Sequence, residues 1–231
     1  MSRVAVAVFP GTNCEHDVVH ALDLLGAEAD LVWHRETDLS GVAGIVLPGG
    51  FAHGDYLRTG AIARFSPIMQ EVERFAAAGR PVLGICNGFQ ILCEAGLLPG
   101  ALVANRDLRF ICRPVHVRVE TTGSVLTRHA EVGAVLRIPL NSYEGNYVAP
   151  PQELDSLERT GRVVLRYVDE RGEATSSPNG SANRIAAITN PTGNVAGVMP
   201  HPERAVEDVL GSADGRVLLK SFVASLQPVP A

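Results

Sequence analysis

The sequence is short of several things, and each shortage removes a class of protein. It has four cysteines, Cys14, Cys86, Cys93 and Cys112, without the paired spacings of a metal site or the density of a disulfide scaffold. Free thiols in a reducing cytoplasm are expected, with no metal held by this chain. Its 20 Lys and Arg are outnumbered by 25 Asp and Glu, for a net charge of -5. That leaves no basic footprint, so nucleic acid is not expected as a main partner. No apolar run approaches the roughly 20 residues of a membrane span, so no membrane association is expected. The opening Met1–Val8 lacks the pattern of a signal peptide and reads as a strand. There is no internal repeat, low-complexity segment or break in composition, so one domain over residues 1–231 is expected.

What is present suits a sizeable core: 46% of residues are apolar and 19% charged. The first half alternates strand and helix. Val4–Phe9 is an apolar run closed by Pro10-Gly11, and Thr12 or Asn13 is placed to cap a helix running to Leu25. Glu28–Trp33 alternates as a second strand. Gly44–Leu47 is a short buried strand that stops at Pro48-Gly49-Gly50. A helix follows over Pro67–Ala78, then a strand over Arg80–Ile85 that feeds Cys86, then a helix over Gly88–Ala95. Units of this length predict an α/β fold, a doubly wound, mostly parallel sheet with helices on both faces.

The second half predicts a smaller antiparallel, strand-rich region. Val115–Glu120 and Val163–Val168 alternate like strands with one exposed face. Pro139–Pro151 reads as irregular and Glu170–Asn183 as a loop. Gly193-Asn194 reads as a tight hairpin turn of type I′ or similar between Ile185–Thr189 and Val195–Met199. A helix near Gly215–Leu226 and a Pro-containing tail close the chain.

Gly84-Ile85-Cys86-Asn87-Gly88 stands at a strand-to-helix junction, the cysteine counterpart of a nucleophile elbow. A sharp turn projects the sulfur away from the sheet, and small neighbours leave room for a strained backbone. The helix that follows aims its N-terminus at the sulfur, which favours thiolate, and presents free amides to an oxyanion. The same pentapeptide also fits a buried structural cysteine between packing glycines. Cys93, Cys14 and Cys112 read as packing or incidental.

A cysteine nucleophile needs a base. Of seven histidines, His201 follows the apolar run Val195–Met199, is held between Pro200 and Pro202, and has Glu203 two residues on to orient its ring. A surface His-Pro-Glu turn is the plainer alternative. His53, beside the glycine loop, is a weaker rival. Pro48-Gly49-Gly50-Phe51 ends a strand with two residues free of Cβ, and pairs the Gly50 and Asn87 amides as a candidate oxyanion hole. An ordinary tight turn has the same composition.

Taken together, Gly84–Gln90 and Pro200–Glu203 resemble the class I, triad-type glutamine amidotransferases, which share a flavodoxin-like architecture. More narrowly, the chain resembles the family of glutaminase subunits of phosphoribosylformylglycinamidine synthases. The motifs that carry this include Phe9–Glu15, Pro48–Arg58, Asn87–Leu92, Leu97–Gly100, Phe110–Arg113 and Met199–Arg204. The resemblance implies catalytic roles for Cys86, His201 and Glu203, an oxyanion hole at Gly50 and Asn87, and substrate contacts at Gly49, Phe51 and Gln90. It implies glutamine as substrate and ammonia as the product passed on. The receiver would be a large synthetase subunit carrying ATP and magnesium, with a small bridging subunit; no cofactor is implied on this chain.

One stretch departs from that pattern. Where the family commonly carries His-Gly ahead of Glu-Gly, this chain has Asn141-Ser142-Tyr143-Glu144-Gly145, which leaves pocket contacts there open. Asp55, Tyr56 and Arg58 are candidates to face a partner or to form a loop salt bridge, and Arg106 and Arg109 to face a partner or solvent. A thiol sensor or another hydrolase of the same fold are the rival readings. The glycine loop and the His–Glu pair argue against the sensor.

Overall fold

Short runs of Val, Ile, Leu and Ala cannot leave their backbone polar groups unpaired once buried, so they pair with one another. A computed structural model, which describes residues 2–226, arranges eleven such strands and five α-helices. The alternating half comprises β1 (Arg3–Val8), α1 (Glu15–Leu24), β2 (Glu28–Trp33), β3 (Val42–Leu47), α2 (Pro67–Ala77), β4 (Val82–Ile85) and α3 (Asn87–Glu94). The rest comprises β5 (Ala101–Val103), β6 (Ile111–Val119), β7 (Val135–Ser142), β8 (Asn146–Val148), α4 (Pro151–Arg159), β9 (Val163–Val168), β10 (Ile185–Thr189), β11 (Val195–Val198) and α5 (Gly215–Ala224). The tail expected after Leu226 lies outside the described residues.

Nine strands form one mixed sheet in the order β2-β1-β3-β4-β11-β10-β9-β6-β7. From β2 to β11 every pairing is parallel; from β11 to β7 every pairing is antiparallel. The strand-rich second half therefore continues the main sheet, and among the described residues only β5 and β8 form a separate antiparallel pair. Every residue of β3, β4 and β11 is buried, as befits interior parallel strands, whereas β2 at the edge exposes Leu31 and Trp33. The glycines show which helix covers which face. A Cβ on Gly44 of β3 would meet Phe222 and Leu226 at α5, while Cβ atoms on Gly84 and Gly197 would run into Gly88 and Phe89 of α3. Gly84 and Gly197 are register partners on neighbouring strands, so α3 seats against a strip without side chains.

Several local expectations change. α1 begins at Glu15 and neither Thr12 nor Asn13 caps it: the Thr12 hydroxyl accepts from the Phe9 amide at 2.9 Å, and Asn13 accepts from the Cys14 thiol at 3.1 Å. This segment is instead bound to the next loop, with the Asn13 and Cys14 amides donating to the Gly49 carbonyl. Pro139–Pro151 is not irregular throughout, for β7 runs to Ser142 and β8 follows. Pro139 is tolerated because β7 is the sheet edge, and Pro114 because β6 meets β9 only from His116 onward. The β10–β11 turn is a five-residue loop over 190–194, not a type I′ turn, and of the Gly193-Asn194 pair only Gly193 has positive φ. Asn194 is occupied elsewhere: its amide donates to the Ala76 and Arg80 carbonyls at 2.9 Å, tying the hairpin to the end of α2.

The close approach of α3 yields a stability prediction. A Cβ on Gly88 would overlap the Leu47 carbonyl, which is sheet backbone and cannot yield. Gly88→Ala is expected to destabilise the fold by about 1–3 kcal/mol or more in urea titration. Gly123→Ala, whose nearest neighbour is a side-chain oxygen at 3.4 Å, should stay within about 0.5 kcal/mol. Equal costs at the two positions would contradict the packing described.

Candidate active site

β3, β4 and β11 are consecutive parallel neighbours, so their carboxyl ends lie side by side. β3 delivers Pro48-Gly49-Gly50, β4 delivers Cys86, and β11 delivers Met199-Pro200-His201. Residues that are far apart in sequence thus meet at the carboxyl ends of interior strands, where open α/β sheets place their ligands.

Cys86 sits between β4 and α3 with φ 51° and ψ -105°, a left-handed backbone that a residue with a side chain adopts at a cost of about 1–3 kcal/mol. The surroundings hold it there. Its amide donates to the Val198 carbonyl of β11 at 2.8 Å, and its carbonyl accepts from the Gln90 amide at 3.2 Å. A Cβ on Gly84 would lie 2.6 Å from the Gly88 backbone, so the tight elbow requires glycine there. The thiol points toward the Asn141 carbonyl at 3.6 Å.

His201 and Glu203 are each 2% exposed, and His201 Nδ1 lies 2.6 Å from Glu203 Oε1. A short 3-10 turn over Pro202–Arg204 brings the carboxylate back under the ring. The His201 amide donates to the Pro139 carbonyl of β7 at 2.8 Å, which anchors the ring from the antiparallel side. Burial works against a charge on His201. The Glu203 carboxylate, helped by the sulfurs of Cys86 and Cys14, outweighs it and holds the imidazole well above its ordinary 6.5. Cys14, His201 and Glu203 bring sulfur, nitrogen and oxygen within 4.8 Å of one another. Two ligands of one tetrahedral zinc lie about 3.3 Å apart; the 2.6 Å His201–Glu203 spacing is that of a hydrogen bond.

The loop after β3 is shaped around this pair. A Cβ on Gly49 would come within 2.7 Å of the His201 ring and 3.1 Å of the Cys14 sulfur, so glycine makes room for both. Gly50, at φ +154°, packs against the Thr12 and Asn13 backbone. The Asn87 side chain braces the same loop, accepting from the Ala52 amide at 3.0 Å and donating to Gln90 Oε1 at 2.8 Å. Its main-chain amide opens α3 and has no partner within the helix. The Gln90 side-chain Nε2 in turn donates to the Glu144 carbonyl at 2.6 Å, pinning the loop after β7.

One cavity of about 380 Å³ gathers Cys86, His201, Gly50, Phe51 and Gln90. Gly49, Asn87 and Glu203 support that wall without lining it. The cavity also holds residues whose part sequence reasoning missed or left open. Cys14, read as packing, lines it beside Arg204, whose guanidinium donates to the Cys14 sulfur at 3.3 Å and to Asp17 at 3.0 Å. Asn141, Tyr143 and Glu144, in the stretch that departs from the family pattern, form another side. Arg58, in the loop after β3, pairs with Glu94 of α3 at 2.6 Å. His53 does not line the cavity; its ring packs edge-on against His34. Arg106 lies beside Asp107 at 3.6 Å on the surface.

The model of the CobB/CobQ-like glutamine amidotransferase domain matches residues 1–218. A phosphoribosylformylglycinamidine synthase subunit PurQ from Chlorobaculum parvum is 54% identical, covering 97% of this chain and 90% of its own. The subunit of the same description from Rubrobacter xylanophilus is 53% identical, over 96% and 98%. A chain in the structure of PurLQS from Thermotoga maritima superposes with a TM-score of 0.86 at 42% identity, covering 96% of this chain and 98% of that one. The chain belongs to the CobB/CobQ-like glutamine amidotransferase family and, within it, to the PurQ subunits of phosphoribosylformylglycinamidine synthase.

Proposed function

We propose that this chain hydrolyses glutamine to glutamate and ammonia through a thioester on Cys86. The ammonia goes to a synthetase subunit that converts formylglycinamide ribonucleotide to formylglycinamidine ribonucleotide in purine synthesis. The observation that carries this reading is the meeting, in one cavity, of a thiol on a strained elbow and an imidazole backed by a buried carboxylate at 2.6 Å.

Each residue then has a task. With its proton already held by His201, the Cys86 sulfur attacks the side-chain amide carbon as thiolate. The carbonyl electron pair moves onto oxygen, which the Gly50 and Asn87 amides receive. His201 gives the proton to the departing nitrogen, the C–N bond breaks and ammonia leaves. Water then attacks the thioester with His201 as base, freeing glutamate and the thiol. Glu203 holds the ring in one tautomer and offsets its charge. Phe51 and Gln90 bound the substrate space, and Gly49 admits the ring. No step calls for a metal or cofactor on this chain.

Residues 1–231 act as one amidotransferase domain in this reading. The partners are a large synthetase subunit, to which ATP and magnesium belong, and a small bridging subunit; the superposition on a PurLQS chain supports both. Among the described residues no helix is long and apolar enough to cross a membrane, in keeping with a cytoplasmic complex.

Cys86→Ala should lower glutamine-dependent amination by about 10⁴-fold or more in the assembled complex, while ammonium salts still support amination. Hydrolysis that survives the substitution would overturn the reading. Glu203→Gln keeps the shape but removes the charge that favours imidazolium, and is expected to lower kcat for glutamine hydrolysis by about 10²- to 10⁴-fold. An unaltered kcat would show that Glu203 does not serve His201.

A further inference from the structure

A second buried thiol stands beside the base, and the reaction described gives it no task. Cys14, 3% exposed, precedes α1, and its sulfur lies within 4.8 Å of a ring nitrogen of His201 and of a carboxylate oxygen of Glu203. The main chain puts it there: the Cys14 amide donates to the Gly49 carbonyl at 3.2 Å. A Cβ on Gly49 would strike both the ring, at 2.7 Å, and the sulfur, at 3.1 Å. Ring and sulfur thus share one space that glycine leaves open.

The polarity of the sulfur is set as well. Its hydrogen goes to Asn13 Oδ1 at 3.1 Å, which leaves the lone pairs for its other neighbours. One of these is Arg204, whose Nη2 donates to the sulfur at 3.3 Å while its Nε donates to Asp17 at 3.0 Å. The other is the imidazole. Arg204 directly follows Glu203 in the 3-10 turn, so a permanent cation stands close to a ring that must itself carry positive charge. Burial works against the charge on Arg204, and Cys14, Asp17 and Glu203 more than offset it. Burial works against the charge on His201 too; Glu203 foremost, then the sulfurs of Cys86 and Cys14, override it. The elements packed on this turn add little else. α1 carries Glu15 in its first turn, β7 brings the Pro139 carbonyl, and α5 meets the turn through Gly215, with its Arg216 bound to the Val206 carbonyl. Asp55, Tyr143 and Glu144 are the other ionisable groups lining the cavity, and neither carboxylate forms a salt bridge with a described residue.

We propose that Cys14 is a positioning residue for the reaction: its sulfur seats the His201 ring beside Gly49 and holds the Arg204 guanidinium to itself and to Asp17, which preserves the imidazolium until the leaving nitrogen takes its proton. This rests on the glutaminase reading and adds to it a residue that acts through His201. The sulfur touches neither substrate nor the reacting bond in this role, and its effect falls on proton transfer rather than on binding.

The test separates polarity from packing by comparing Cys14→Ser with Cys14→Val in the assembled synthase, reading glutamate release against pH. Serine keeps a donor and lone pairs, whereas valine fills the space with neither. Cys14→Val should lower kcat by about 10-fold while KM for glutamine stays within about 2-fold. Loss of a neighbour that favours imidazolium lowers the proton affinity of His201, so the alkaline limb of the kcat profile should move down by about half to one pH unit. Cys14→Ser should keep kcat within about 3-fold of wild type, with the limb in place. If valine is not tolerated, Cys14→Ala takes its place in the comparison. Unaltered amination with ammonium salts establishes that the synthetase half of the complex is intact. Valine equal or superior to serine, or a lowered kcat with the limb unmoved, makes Cys14 a packing residue and overturns the proposal while the glutaminase reading stands. A wild-type complex that releases no glutamate from glutamine overturns that reading and the role of Cys14 with it.

Discussion

Parallel pairing of β11 with β4 is the contact on which the site depends. Val195 pairs with Val82 and Val198 with Ile85, so the two strands end level and their next residues emerge together. A slip of one residue along either strand would turn every side chain to the opposite face and carry His201 away from the sulfur. The register is secured because Gly197 and Gly84 sit opposite each other and form the strip that admits α3. The amide of Cys86 reaches back to the Val198 carbonyl, so the nucleophile is bonded to the strand that delivers its base.

That anchoring explains how strain persists at Cys86. A left-handed cysteine is unfavourable by itself and survives only where its neighbours over-determine it. Here the sheet on one side, the first turn of α3 on the other and the glycine at 84 leave the chain no other path. The buried His201–Glu203 pair follows the same logic. Withdrawing two ionisable groups from water is expensive, and their mutual attraction offsets the cost only in good geometry. Pro200 and Pro202, the 3-10 turn and the bond from the His201 amide to Pro139 supply that geometry. A stability cost at the carboxyl end of β11 is thus converted into an imidazolium poised to give its proton to a leaving group.

Sequence reasoning located the parts of the site whose chemistry is local. Cys86 was legible because a nucleophile elbow needs glycines two residues away on each side, and Glu203 because it lies two residues from the histidine it orients. Cys14 and Asp55 were not legible as neighbours of Cys86, and Glu144 was brought near the pocket only by the family resemblance. Each enters the cavity on a loop from a different part of the chain, and no spacing within those loops records the encounter. The capping role expected of Thr12 and Asn13 failed for a related reason: side-chain oxygens that suit a helix cap were drawn into a contact with the Gly49–Gly50 loop.

The sequence by itself determined the alternation of strand and helix, the interior strands and the thiol at the end of one of them. These follow from periodicity, from apolar runs and from glycine where no Cβ fits. Only the tertiary structure decided that the last strand, β11, lies beside β4, that the antiparallel strands continue the same sheet, and that two unpaired carboxylates share the cavity with Cys86. Those facts come from long-range register and from the unequal fit of side chains between helix and sheet, which no local stretch of sequence encodes.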